Sequence, residues 1–228
     1  MDASSQKVPS DIEIVVAEHP AEDVAGRLAA AARAGGHIVL TGGSTPRSTY
    51  ELAAGLETDW SAVELWWSDE RCVPADDERS NYGMAKEALI DRVSVGAVHR
   101  MPGELGRDRG AEAYEQDLGA LERFDLVLLG MGRDGHIASL YPDEATLDET
   151  ERRAIGAEAR LEPYVDRITL TLPMLHRAQH VLFLVTGADK ADAARRAFKD
   201  EPSPSTPGSL VRGVRTTAVL DAAAAALL

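Results

Sequence analysis

The sequence predicts an α/β protein: a mostly parallel sheet flanked by helices. Two observations carry that reading. Short apolar runs alternate with helical segments along the whole chain, the order that a parallel, helix-covered sheet requires. In addition, four of those runs, His37–Leu40, Val63–Trp67, Leu126–Leu129 and His180–Val185, each end in a polar or glycine-rich loop. As parallel strands they would place all four loops on one edge of one sheet, where open α/β sheets bind ligands.

The elements follow in order. Ile12–Val16 reads as the first strand. Ala21–Ala34 is an alanine-rich helix ending at Gly35-Gly36, as helix C-termini often do. His37–Leu40 is a strand and Pro46–Gly55 a helix. Val63–Trp67 is a strand and Tyr82–Arg92 a helix. Val98–Met101 is a short strand, Arg109–Leu121 a helix and Leu126–Leu129 a strand. Arg167–Thr171 alternates with period two, which predicts a half-exposed strand. His180–Val185 is a strand, Ala188–Phe198 a helix, Thr217–Leu220 the last strand and Ala222–Leu228 a short helix. Glu201–Gly208 (EPSPSTPG) is too short for a domain linker and reads as a rim or lid loop. One domain is expected over residues 1–228, with residues 1–10 flexible.

Composition excludes several classes. The 228 residues are 44% hydrophobic, enough for a globular core. No apolar run approaches the ~20 residues of a membrane span, and Met1–Asp11 lacks a signal-peptide core. With 24 basic against 38 acidic residues, the formal net charge is −14. That argues against nucleic acid and anionic membranes, which require basic patches. Cys72 is the only cysteine, so neither an intrachain disulfide nor a cysteine metal cluster can form. The expected location is the cytoplasm. The histidines lack ligand spacing, so no metal is expected. Trp60, Trp66 and Trp67 read as packing residues, and Cys72 as a structural thiol.

The most informative stretch is Asp125–Pro142, DLVLLGMGRDGHIASLYP. Its strand breaks at Gly130, Gly132 and Gly135 and delivers Asp134 and His136 to the loop. A histidine two residues from an aspartate there is a candidate general base with a local carboxylate. A glycine turn bearing a solvated histidine is the plainer alternative. The loop Thr41-Gly42-Gly43-Ser44-Thr45-Pro46 has clearer mechanics. The glycines let amides approach a ligand, Ser44 or Thr45 suits an N-cap, and Pro46 suits the first helical position. The product is a helix N-terminus that attracts anions, with phosphate the usual occupant. An ordinary capped helix is the alternative. It is neither a Walker loop nor a dinucleotide fingerprint. Arg71 and Lys190 follow strands on the same edge and would add charge-assisted bonds to a phosphate. Arg167 is a weaker third cation and Arg212 a fourth. Ser139 is not in a nucleophile elbow.

Taken together, TGGSTP, SDER, GMGRDGHIASLYP, RITLTLP and VTGADK resemble the 6-phosphogluconolactonases, in order, from about Val15 to the C-terminus. The resemblance implies hydrolysis of 6-phospho-D-glucono-1,5-lactone to 6-phosphogluconate in the oxidative pentose phosphate pathway, with no cofactor. It implies a Rossmann-like fold shared with glucosamine-6-phosphate deaminases and ribose-5-phosphate isomerases. The family's general base falls on His136 and its phosphate loop on Gly42, Gly43, Ser44 and Thr45. Its phosphate-contacting cations fall on Arg71 and Lys190, with Arg167 near them. Asp69 and Asp134 occupy its acidic positions, and which of them serves His136 stays open. The partner implied is a small sugar-phosphate lactone, and the chain itself a monomer or homodimer.

The related deaminases are the nearest competitor. After Gly-His-Ile-Ala they continue Phe-Asn-Glu, where this chain has Ser139-Leu140-Tyr141, and they carry Met-Asp-Glu-Tyr where it has Ser68-Asp69-Glu70-Arg71. Both departures favour the lactonase. A sugar-phosphate-sensing module without catalysis would keep the phosphate loop but need not keep His136.

Overall fold

A computed structural model describes residues 12–228; the segment expected to be flexible, residues 1–10, lies outside them. β1 (Glu13–Val16) leads into α1 (Pro20–Ala34). This helix opens on a proline, whose missing N–H is an orphan at that position anyway. There follow β2 (Gly36–Leu40), α2 (Ser44–Ala54), β3 (Val63–Trp67), β4 (Asp69–Arg71), α3 (Asn81–Ala88), β5 (Ala97–Val98) and α4 (Arg107–Leu118). The second half holds β6 (Leu126–Leu129), β7 (Ala154–Ala157), β8 (Arg167–Leu170), α5 (Leu172–Leu175), β9 (His180–Val185), α6 (Ala191–Phe198) and β10 (Arg215–Leu220).

Seven strands form the main sheet in the order β1-β10-β9-β6-β2-β3-β5, every neighbouring pair parallel. β6 and β9 are buried along their whole length, which is why they read as unbroken apolar runs rather than alternating ones. From β2 the chain winds outward through β3 to β5. It then returns to β6 on the other side of β2 and winds the opposite way. The winding reverses between β2 and β6, and the crevice beyond their C-terminal ends is the expected ligand position.

Two buried tyrosines finish the strands beside that crevice. The Tyr50 hydroxyl accepts from the Thr41 amide (2.9 Å) and donates to the Thr41 carbonyl (2.8 Å). The Tyr114 hydroxyl does the same for Trp67, at 3.0 and 3.2 Å. Each satisfies a buried peptide where the chain is leaving the ladder. Trp60, Trp66 and Trp67 are core residues, as expected.

A second, antiparallel sheet, β4-β8-β7, was not anticipated. It corrects the expectation for Arg167–Thr171. All of β8 is buried, because it is the middle strand and α4 packs against it and β7. Alternation there reflects two covered faces, one of them partly polar. The expected helix at Ala222–Leu228 is a series of turns; so short a segment at a chain end does not repay helix nucleation. Among the described residues no helix is long and apolar enough to cross a membrane.

Candidate active site

The loops after β2, β3, β6 and β9 meet around one cleft of about 320 Å³. Its wall includes Gly42, Gly43, Ser44, Thr45, Asp69, Arg71, His136 and Lys190, so eight of the ten nominated residues converge there. Asp134 sits directly behind His136. Arg167 is not brought into the wall.

The phosphate-loop geometry corrects one expectation. Gly43, at φ 116°, is the residue before α2, and Ser44 is already helical; no side chain caps this end. A side chain at position 43 would be strained at that angle. The amides of Ser44 and Thr45 have no hydrogen-bond partner among the described residues, leaving two donors at the positive end of the helix dipole. The Thr45 hydroxyl lies 3.1 Å from that of Thr186, across the cleft on the loop after β9. Lys190 is three-quarters buried, and its ammonium stands 3.8 Å from Asp189, too far for a tight pair. Arg71 is held by its tip, where one guanidinium nitrogen donates to the Arg79 carbonyl.

Arg167 is turned elsewhere. Antiparallel pairing sets it directly across from Arg71. Its guanidinium donates to the carbonyls of Pro163 (3.0 Å) and Val165. Burial, with the like charge of Arg71 nearby, holds its pKa below the ordinary arginine value. Arg212 likewise donates to the carbonyls of Ala197, Gly208 and Val211, fastening the end of α6.

On the β6 side, Asp134 Oδ1 lies 2.6 Å from His136 Nδ1 and also accepts from the His136 amide at 3.1 Å. Burial pushes the Asp134 carboxyl up, but the hydrogen bond and charge of His136 outweigh it and bring the carboxyl down to about 2. Asp134 is therefore ionised at any working pH. Nε2 of His136 has no partner among the described residues, and the ring lines the cleft. Gly132 explains the glycine just before this pair: a Cβ there would stand 2.0 Å from His136 Nδ1. Asp69 is committed to other groups, accepting from the Ser139 hydroxyl (2.7 Å) and the Ser68 hydroxyl (3.3 Å). The carboxylate beside His136 is thus Asp134.

Sequence reasoning missed Asn81, which is buried in the wall. Its amide donates to the Asp69 carbonyl at 2.9 Å, and a Cβ on Gly42 would meet its Oδ1 at 2.0 Å. The only signal was Ser80, which caps α3 through the Gly83 amide. Glu70 proves structural: its carboxylate accepts from the amides of Arg71, Asn81 and Tyr82 and from the Ser80 hydroxyl, at 2.7 to 2.9 Å. Cys72 is half-buried, and burial, with Asp166 beside it, pushes its thiol up to about 11, far from a nucleophile's range.

This arrangement can hold an anion at one end and move a proton at the other. Residues 13–220 match the family described as glucosamine-6-phosphate isomerases/6-phosphogluconolactonase. The chain belongs to that family. A 6-phosphogluconolactonase of Mycobacterium leprae is 42% identical over 215 residues, 87% of each chain. The solved structure of 6-phosphogluconolactonase from Trypanosoma cruzi superposes with a TM-score of 0.85 at 28% identity, covering 96% of this chain and 97% of that one. A monomeric glucosamine-6-phosphate deaminase shares the fold, at TM-score 0.81 and 21% identity, covering 96% of this chain and 100% of that one. The family and the mostly parallel, helix-flanked α/β fold are those expected from the sequence.

Proposed function

We propose that this chain, as one α/β domain, hydrolyses 6-phospho-D-glucono-1,5-lactone to 6-phosphogluconate. The observation that carries the reading is the cleft itself. Unpaired helix amides and two cations line it together with a histidine whose far nitrogen is already oriented by a carboxylate.

The substrate phosphate binds at Gly42–Thr45, Arg71 and Lys190, and this sets the lactone C1 beside His136. Arg167, paired across from Arg71, stands outside the cleft wall and is not assigned to the anchor. Nε2 of neutral His136 accepts a proton from water as the water oxygen bonds to C1. The imidazolium that forms is stabilised by ionised Asp134 on Nδ1. The tetrahedral intermediate collapses with cleavage of the bond from C1 to the ring oxygen. That oxygen takes the proton from Nε2, and His136 returns neutral. The new carboxylic acid ionises in water. Asp69, held by Ser139, borders the path as a fixed acceptor for substrate hydroxyls.

The deaminase reading is weaker, because Ser139 stands where the competitor's Phe-Asn-Glu begins and its hydroxyl is spent on Asp69. Freshly prepared 6-phosphogluconolactone tests the choice. Its opening, corrected for the spontaneous reaction at each pH, should be strongly accelerated, while glucosamine 6-phosphate should release no ammonia. Ammonia release without lactone opening would reverse the assignment.

A further inference from the structure

His136 and Asp134 lie on a loop that is itself suspended between two supports. One is the backbone: the Gly135 carbonyl accepts from the Gly208 amide at 2.9 Å. The other is the guanidinium of Arg196, on α6. Its Nη2 donates to the Asp134 carbonyl at 3.2 Å, and its Nη1 to the Thr206 hydroxyl and the Ser205 carbonyl. Its Nε donates to Asp192, one turn back along the helix, at 2.9 Å. The planar fork thus has a fixed direction, set by an i,i+4 pair on a regular helix.

We propose that Arg196 is a positioning residue for the His136–Asp134 pair. It grips the peptide whose side chain orients the imidazole, and it does so from the helix that follows the Lys190 segment. The carboxylate can hold Nδ1 at 2.6 Å only while the Asp134 backbone is fixed. The Asp134 carbonyl takes its side-chain donor from the Arg196 fork, which ties the loop to α6. A misplacement of the base by a fraction of an ångström is costly, because catalysis depends on near-attack geometry. The anchor at Ser44, Thr45 and Lys190 does not pass through this contact. Substrate binding and base orientation are therefore separable at Arg196.

This inference rests on His136 being the base, and the test separates the two. Arg196→Ala should lower kcat by roughly 10–100-fold while KM stays within about twofold. Guanidinium added to the variant should restore part of kcat. Thr206→Val, which removes only the hydroxyl acceptor on the rim-loop arm of the fork, should stay near wild type. Proton NMR reads the pair without substrate: the hydrogen-bonded Nδ1 proton, assigned by its absence in His136→Gln, should shift or broaden in Arg196→Ala. Should Arg196→Ala not fold, Arg196→Lys carries the same test, since it keeps the charge beside Asp192 and loses the fork. Wild-type protein that does not open the lactone would sink the functional reading alone, because the NMR arm still decides. An unchanged Nδ1 resonance, an unchanged kcat, or an equal loss in Thr206→Val would each overturn the role of Arg196.

Discussion

The two ends of the main sheet use the same residue types and finish them differently. At the N-terminal ends of β9 and β10, Nδ1 of His180 accepts from Arg215 at 2.9 Å, and Nε2 faces the Thr217 hydroxyl at 3.0 Å. That hydroxyl donates to Glu13 of β1 at 2.8 Å. Both ring nitrogens are closed, and burial, with Arg215 alongside, brings the imidazole down to about 4. At the C-terminal ends, His136 has one nitrogen oriented and one open. Two helix amides there lack acceptors among the described residues, and Lys190 meets its carboxylate only at 3.8 Å. A structural histidine is satisfied on both sides; one available for proton transfer is fixed on one side and left open on the other.

Four experiments would break or sharpen that contrast. The largest effect is expected from His136→Gln, which keeps a polar side chain but removes the base. Turnover should fall by roughly 10²–10⁴-fold, with 6-phosphogluconate binding little changed because its phosphate is held elsewhere. Near-normal corrected turnover would move the base to Asp69 or Asp134.

Lys190→Ala comes next. It removes one charge-assisted contact of about 1.5–3 kcal/mol, so KM should rise, with a smaller loss in kcat from poorer placement of C1. The variant should also lose preference for the phosphorylated over the plain lactone. Retained preference would remove Lys190 from the anchor.

At the opposite end, acid should act on stability rather than on binding. His180 titrates near 6.5 when unfolded and about 4 when folded. Between those values the unfolded chain binds more protons, so the contribution present above ~6.5 is lost as pH falls toward 4. The melting temperature of wild type should therefore drop between pH 7 and 5 by more than that of His180→Asn. Parallel curves would mean that His180 is not the group that titrates. The smallest effect, none, is expected from exhaustive chelation with EDTA. Activity lost to EDTA and regained with zinc or magnesium would overturn the metal-free mechanism.

How much of this was legible in the sequence depended on how local the cause was. β2, β3, β6 and β9 were readable because an apolar run followed by glycines or polar residues is a local pattern. His136 and Asp134 were readable for the same reason, two residues apart in a glycine loop. β4 was not: Asp69-Glu70-Arg71 carries three charges, and Glu70 is buried only because amides from Arg71, Asn81 and Tyr82 converge on it. The start of α2 was misread because Ser44 and Thr45 look like caps, whereas Gly43 takes the cap position through a backbone angle that composition does not reveal. Arg167 looked like a site cation from its place before a strand. Its direction was decided by the carbonyls of a loop that folds back over it. Asn81 gave no signal of its own, since its role is defined by the missing side chain of Gly42.

The tyrosine clamps at the ends of β2 and β3 bear on which sequences this cleft can tolerate. Phenylalanine at position 50 would fill the same volume and leave the Thr41 amide and carbonyl buried without partners, at about 1–3 kcal/mol for each group. Serine or threonine could give and take a hydrogen bond but could not reach. Tyrosine alone joins an aromatic reach to a group that both donates and accepts, and the same holds at position 114. Two positions that do not line the cleft thereby carry a hydrogen-bonding requirement of their own, so variation in this cleft is limited from within the core as well as by its chemistry.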